Sequence, residues 1–218
     1  NDFFDGKFSL NLTAYRINNN RFTQMALLDA NGATNADTNM KEFSGKTSSD
    51  GLELDVTGRL LPGLDVMAGY AYNFMRYTGT MDIFKYKTAD GKDAETSGNE
   101  EGVRLVGTTA HTGNATAFYT VQNGGLKGLK VGASAFYTGK RNAGWNNSKI
   151  NVRDGVNRLI AVDPFTTLDV SLGYTIGKLS LLGKLSNVTN ELSYFIHENY
   201  SVNPIPPRNF MVTASYKF

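Results

Sequence analysis

The stretch Thr167-Leu168-Asp169-Val170-Ser171-Leu172-Gly173-Tyr174-Thr175-Ile176 alternates without a break. Leu168, Val170, Leu172, Tyr174 and Ile176 share one parity, and Thr167, Asp169, Ser171, Gly173 and Thr175 share the other. Successive side chains of a strand point to opposite faces, so this run makes one wholly apolar face and one small, polar face. Its length is also that of a strand crossing a bilayer, about 9–11 residues at a tilt of about 45°.

The same period recurs outward from this run. Leu52, Leu54, Val56 and Leu60 oppose Glu53, Asp55, Thr57 and Arg59. Leu64, Val66, Ala68, Tyr70, Tyr72 and Phe74 oppose Asp65, Met67, Gly69, Ala71 and Asn73. Comparable runs start at Phe8, Asn114, Leu129, Leu179 and Phe210. The pattern predicts about eight strands of roughly ten residues. Short turns fall at Leu61-Pro62-Gly63, Gln122-Asn123-Gly124-Gly125 and Gly177-Lys178, and long polar connections fall at 25–45, 79–104, 142–164 and 188–207. Short turns at one end and long loops at the other are the layout of an outer-membrane β-barrel, the long loops lying outside the cell. The predicted fold class is therefore all-β, an antiparallel transmembrane β-barrel segment.

Composition agrees. The chain has 218 residues with 23 Gly, 13 Phe and 11 Tyr against 5 Pro, no Cys and a net charge of +2. Mean hydropathy is −0.31, and no apolar run approaches the roughly 18 residues a membrane helix needs. Alternating strands average to a polar composition, so a barrel is compatible with that value. The near-neutral charge gives nucleic acid no footprint. A soluble sandwich or lipocalin-like barrel also alternates, but its outer face carries many Lys and Glu. Here the polar parity is rich in Ser, Thr, Asn and Gly, and aromatics crowd the strand ends as a girdle does. Asn1-Asp2-Phe3-Phe4-Asp5-Gly6 reads as a turn in the middle of a longer protein, so a fragment is expected.

The order of segments resembles the C-terminal barrel portion of TonB-dependent receptors of the ferric-siderophore type. Ser49-Asp50-Gly51-Leu52-Glu53-Leu54-Asp55-Val56-Thr57-Gly58 resembles the family's S-x-G-x-E-x-D/E-x-x-G strand, and Leu64 to Tyr72 its G-Y-x-Y strand. Gly102 to Thr112 stands where the family enters the next strand, without the usual proline. Phe136-Tyr137-Thr138-Gly139-Lys140-Arg141, Phe165-Thr166-Thr167-Leu168-Asp169, Leu185-Ser186-Asn187-Val188-Thr189-Asn190 and Pro207-Arg208-Asn209 follow in the family's order. The terminal Phe210, Val212, Tyr216 and Phe218 resemble the aromatic-ended strand that the outer-membrane assembly machinery recognises. The resemblance implies a barrel of about 22 strands around an N-terminal plug, so a plug domain and the remaining strands are expected outside this chain. It also implies as partners the outer-membrane lipid, the TonB complex through the missing N-terminal part, and a ferric siderophore or similar large nutrient.

No covalent chemistry, cofactor or metal site is expected. His111 and His197 are the two histidines, too few for a zinc or catalytic cluster without cysteine. His111 is expected as a rim residue hydrogen-bonding a loop. Long ordered loops are usually functional, and these concentrate aromatic and basic residues. Arg141, Trp145, Tyr194, Phe195, His197 and Tyr200 are the candidate ligand contacts, because cations and stacking rings suit anionic or aromatic chelates. The alternative is a complete eight-stranded barrel with a structural or adhesion role, whose interior would be packed solid.

Overall fold

The computed structural model describes the chain apart from residues 1, 4–6, 27, 34, 36, 38, 80–83, 88–92, 97–101, 103, 146–158 and 197–201. Its described elements are all strands: β1 (Asp2–Phe3), β2 (Phe8–Met25), β3 (Lys41–Leu61), β4 (Leu64–Tyr77), β5 (Phe84–Lys87), β6 (Asp93–Thr96), β7 (His111–Thr120), β8 (Lys130–Thr138), β9 (Arg141–Trp145), β10 (Leu159–Val162), β11 (Phe165–Ile176), β12 (Leu179–Ser186), β13 (Tyr194–Ile196), β14 (Val202–Pro204) and β15 (Asn209–Tyr216). Nine of them form one antiparallel meander in the order β1-β2-β3-β4-β7-β8-β11-β12-β15. The eight long strands are the eight that alternation predicts. Pairs β5-β6, β9-β10 and β13-β14 make separate two-stranded ribbons.

Register carries the alternation across the sheet. Val66, Ala117, Ala133, Val170, Leu185 and Phe210 form one continuous row. The row above runs Leu10, Val56, Ala68, Ala115, Ala135, Leu168. The intervening parity gives Ser9, Thr57, Met67, Thr116, Ser134 and Asp169. In these rows one face is thus apolar and the other mainly polar, with Thr116 Oγ1 and Ser134 Oγ 3.0 Å apart. Because the side-chain period is two, a slip of one residue in any pair would exchange the faces, and the apolar pattern fixes the register.

There is little enclosed core. Among the described residues the buried hydrophobics are Ala26, Phe165 and Ile205, while Leu172 and Val212 on the apolar face are 56% and 60% exposed. A single sheet whose apolar face is exposed from β2 to β15 needs an apolar medium on that side. Neither β1 nor β15 has a second partner strand among the described residues. The sheet is open, which is the form of a segment of a wider barrel and excludes, among those residues, the pairing a closed eight-stranded barrel requires.

The short turns at 61–63 and 177–178 fall where expected, and the one expected at 122–125 extends over 121–129. Pro62 and Gly63 close β3 onto β4, with Gly63 at φ 84°, the conformation a type II turn demands at its third position. A Cβ there would also lie 2.4 Å from the Thr120 carbonyl oxygen. Gly51 is required for space: the Tyr15 ring lies across it, where a Cβ would come within 2.1 Å of the ring, so the aromatic covers the strand's bare backbone.

Three features differ from the sequence expectation. Strands β2 and β3 are 18 and 21 residues long, so the connection expected over 25–45 shrinks to 26–40. Beyond the membrane length the residues become polar on both parities, as in Asn18-Asn19-Asn20-Arg21, and alternation no longer reports the strand. The connections expected over 79–104, 142–164 and 188–207 contain the three small ribbons. The final strand stops at Tyr216, short of Phe218, although Lys217 N–H still donates to the Lys178 carbonyl at 2.9 Å.

Candidate ligand-binding loops

At one end of the sheet the apolar rows give way to an aromatic level. Leu12, Leu54, Tyr70, Gly113 and Tyr137 form one row and Ala14, Leu52, Tyr72 and His111 the next. His111 Nδ1 lies 2.7 Å from Tyr70 Oη, and its ring centroid is 5.1 Å from that of Tyr72. The histidine expected to bond a loop therefore pairs with strand tyrosines, because its register places it directly opposite Tyr72. Beyond this level the long connections begin.

The connection after β12 is fastened by an asparagine. Asn187 adopts φ 51°, a left-handed conformation that Asn tolerates better than most residues. Its N–H donates to Asp169 Oδ1 at 2.9 Å, while Asp169 Oδ2 meets Lys184 Nζ at 2.8 Å. The Asn187 amide nitrogen donates to the carbonyls of Glu191 and Pro206 at 2.9 and 3.1 Å, and its Oδ1 accepts from Glu191 N–H at 2.8 Å. Asn190, at φ 53°, accepts the Arg208 N–H on Oδ1 at 3.1 Å. The 187 end of the 187–208 connection is thereby tied to β11, and its 206–208 end to the 187–190 turn.

A second fastening is Arg141, 7% exposed at the start of β9. Nη1 donates to the carbonyls of Gly139 and Asp163 at 3.3 and 3.2 Å, and Nη2 to Ser193 Oγ at 3.4 Å and the Tyr194 carbonyl at 2.5 Å. The guanidinium carbon stands 5.1 Å from the Phe165 ring centroid, a cation–π distance. Burial pushes the guanidinium below its ordinary value, yet an arginine stays charged. Its fork joins three connections: 139–141, 163–165 and 193–194. Next to it Gly107 N–H donates to the Asn142 carbonyl at 2.9 Å, and the buried Asn142 Oδ1 has no hydrogen-bond donor among the described residues.

Of the sequence-predicted residues, Arg141, Tyr194 and Phe195 come together at this junction. Tyr194 and Phe195, on β13, are 43% and 48% exposed; Arg141 holds the backbone that presents them. Trp145 stands on β9 opposite Leu159. His197 and Tyr200 lie outside the described residues. Asp169, Asn187 and Ser193 were not among the predicted residues. The one signal for them was the repeated asparagine of Asn187-Val188-Thr189-Asn190, a residue type suited to left-handed turns. Among the described residues no group of His, Asp and Glu is arranged as a metal site. At the other end, Phe210, Val212 and Tyr216 lie exposed along the edge strand β15, and Phe218 packs edge-on to Tyr216 at 5.5 Å between centroids.

Comparison with known proteins fits this architecture. The model of the TonB dependent receptor-like, beta-barrel family matches residues 1–188. The metal-pseudopaline receptor CntO of Pseudomonas aeruginosa is 22% identical over the whole chain, which spans 26% of that protein. The siderophore receptor PiuA of Acinetobacter baumannii superposes with a TM-score of 0.72 at 18% identity, covering all of this chain and 27% of that one. The ferripyoverdine receptor of the outer membrane of Pseudomonas aeruginosa, bound to ferripyoverdine, gives 0.72 at 22% identity, with 100% and 26% covered. The chain thus spans about a quarter of the receptors it matches. Members of the family are outer-membrane transporters and not enzymes. The open meander, its apolar face and the family match over most of its length agree: this chain belongs to the TonB-dependent receptor-like β-barrel family, of whose outer-membrane barrel it forms a part.

Proposed function

We propose that the chain is the C-terminal part of the barrel of an active importer that takes up a ferric siderophore or a similar metal chelate. The remaining strands and a plug domain complete the receptor, and a segment outside these residues engages the TonB complex. The apolar face that includes Leu168, Val170 and Leu172 meets lipid, and the face of Thr116, Ser134 and Asp169 lines the lumen. Phe210, Val212, Tyr216 and Phe218 serve as the assembly signal.

The observation that carries the reading is the coverage of the whole chain by receptors whose names specify siderophores or metal chelates, joined to a sheet left open at both edges. The loop junction supports it. Tyr194 and Phe195 are exposed aromatic surfaces on a ribbon clamped by Arg141, and rings held in place stack on a chelate at little cost in order. In this proposal Trp145, His197 and Tyr200 complete the ligand contacts, while Arg141 acts by fixing Tyr194. The test is binding of the purified complete receptor to a panel of ferric pyoverdine, a ferric catecholate and metal–pseudopaline, with an oligosaccharide as control. Saturable binding of a chelate is expected. Binding of the oligosaccharide alone would overturn the substrate class and leave the barrel assignment intact.

A further inference from the structure

The apolar face carries, at the loop end, a group of charges that neither the strand pattern nor ligand uptake explains. Arg16, Asp50 and Phe74 lie in one row and Ser48, Arg76 and Arg104 in the next, all on the parity of Leu52, Leu54 and Tyr70. Asp50 bridges Arg16 at 2.5 Å and Arg76 at 2.6 Å. The Phe74 ring meets two guanidiniums, 5.0 Å from that of Arg76 and 4.9 Å from that of Arg104. Arg104 Nη1 also donates to the Asn73 carbonyl at 2.5 Å. Among the described residues the cluster holds three guanidiniums and one carboxylate, Asp50, which bonds Arg16 and Arg76. Each guanidinium has five N–H donors, so the described partners leave several donors and an excess of two positive charges.

Further along the strands on the same face, toward the short turns, lie two adjoining depressions of about 360 and 380 Å³. Ala68, Ala115 and Ala135 floor both. Leu54, Tyr70 and Tyr137 border the upper one, and Leu168 and Val170 the lower one. Ala68 precedes Arg76 by eight positions on β4. That separation is about 26 Å along a strand, or about 19 Å of height at a 45° tilt. Half a bilayer with its headgroups is about 20 Å deep. The alanine floor therefore sits near the midplane when the arginines stand at headgroup level, with Tyr70, Tyr72 and His111 between them where an aromatic girdle belongs.

We infer that this face is a binding site for a phosphorylated, acylated lipid of the leaflet next to the loops, with an acyl chain in the alanine-floored furrow and the phosphate on the Arg16–Arg76–Arg104 cluster. Charge complementarity decides the occupant. A planar guanidinium pairs with phosphate in bidentate fashion, and basic side chains at a membrane surface select anionic headgroups. The polar end and the furrow are one leaflet apart, which a lipid spans and a free phosphate does not. The inference rests on this face meeting lipid, as proposed above, and is independent of the imported substrate.

The complete receptor, purified in a mild detergent, is titrated with lipid A carrying both phosphates, with the same lipid dephosphorylated, and with inorganic phosphate, and bound lipid is counted by native mass spectrometry. The bisphosphorylated lipid should bind about tenfold more tightly than the dephosphorylated one, and Arg76→Gln with Arg104→Gln should remove that preference. Arg16→Gln, an exposed position, should reduce it with less risk to folding. Ala115→Phe should weaken both lipids by filling the furrow. Heat-modifiable migration and chelate binding, both expected unchanged in Arg16→Gln and Ala115→Phe, show that the variants fold. Equal affinity of the intact receptor for both lipids would overturn the inference, as would unchanged lipid binding in all the arginine variants. So would displacement of the lipid by inorganic phosphate at equal concentration. Binding of both lipids without preference still places this face in lipid, which separates failure of this inference from failure of the barrel assignment.

Discussion

The sheet and the loop junction above it satisfy their backbones in opposite ways. From β2 to β15 each long strand bonds to its neighbours, and the side chains merely sort themselves onto two faces. At the junction short ribbons and turns leave carbonyls over, and side chains collect them: Arg141 takes those of Gly139, Asp163 and Tyr194, and Asn187 those of Glu191 and Pro206. The sheet is thereby fixed by a pattern spread over many residues, whereas the junction depends on two. Single substitutions should accordingly act by face in the sheet and by identity in the junction.

The largest effect is expected in the sheet. Val170 stands in the row between Ala133 and Leu185 on the apolar face. Val170→Arg should cost about 2–4 kcal/mol if it lies near mid-membrane, whereas Ser171→Arg, one residue along on the polar face, should cost much less. Equilibrium unfolding of the complete receptor in phospholipid vesicles measures both. Equal costs would break the two-face description.

In the junction, Asn187→Ala removes three side-chain hydrogen bonds and places a Cβ residue without a polar side chain at positive φ. With each buried bond worth about 1 kcal/mol, the loss should be about 2–3 kcal/mol. It should appear as protease cleavage within 188–207 while the strands stay protected. Asn187→Gly should recover only the backbone share. Protection equal to that of the parent would show that the ribbon holds itself.

The two regions were unequally legible before folding. Leu168, Val170 and Leu172 announced their face because lipid selects apolar groups at every second position. The upper parts of β2 and β3 did not, because a strand with water on both faces has no reason to alternate. Arg141 stood out as a basic residue in a loop, but nothing local shows that its donors end on carbonyls of residues 163 and 194. Those acceptors are backbone atoms, which any sequence supplies. Asn187 stands in a recognisable motif that carries no local sign of its role, for the same reason. Tyr194 and Phe195 were legible because exposure is the expected state of an aromatic in a polar loop, though their presentation depends on an arginine whose clamping role was not.

Arg141→Lys sharpens the comparison further. Lysine keeps the charge but has three donors on one atom in place of a planar fork, so it cannot reach Ser193 and the Tyr194 carbonyl together with the carbonyls of Gly139 and Asp163. Losing one or two of these bonds should loosen the junction by about 1–2 kcal/mol. Hydrogen exchange at 193–196 should quicken, while exchange along β11 should not. If charge alone matters, Lys will restore full protection and only Arg141→Met will lose it.

The smallest effect separates contact from presentation. Trp145→Ala with Tyr194→Ala removes two aromatic surfaces and should weaken chelate binding by at least about 1 kcal/mol, because each stacking or cation–π contact is worth roughly that much. Assembly and thermal stability should be unchanged, since both residues stand on ribbons outside the nine-stranded sheet. Arg141→Lys should also weaken binding, but through a junction that exchanges faster. The decisive quantity is therefore the coupling between them. If Arg141 acts only by presenting Tyr194, adding Arg141→Lys to Tyr194→Ala should cost less than Arg141→Lys costs alone. Full additivity would mean that the arginine touches the ligand itself, and would move it from the clamp into the contact surface.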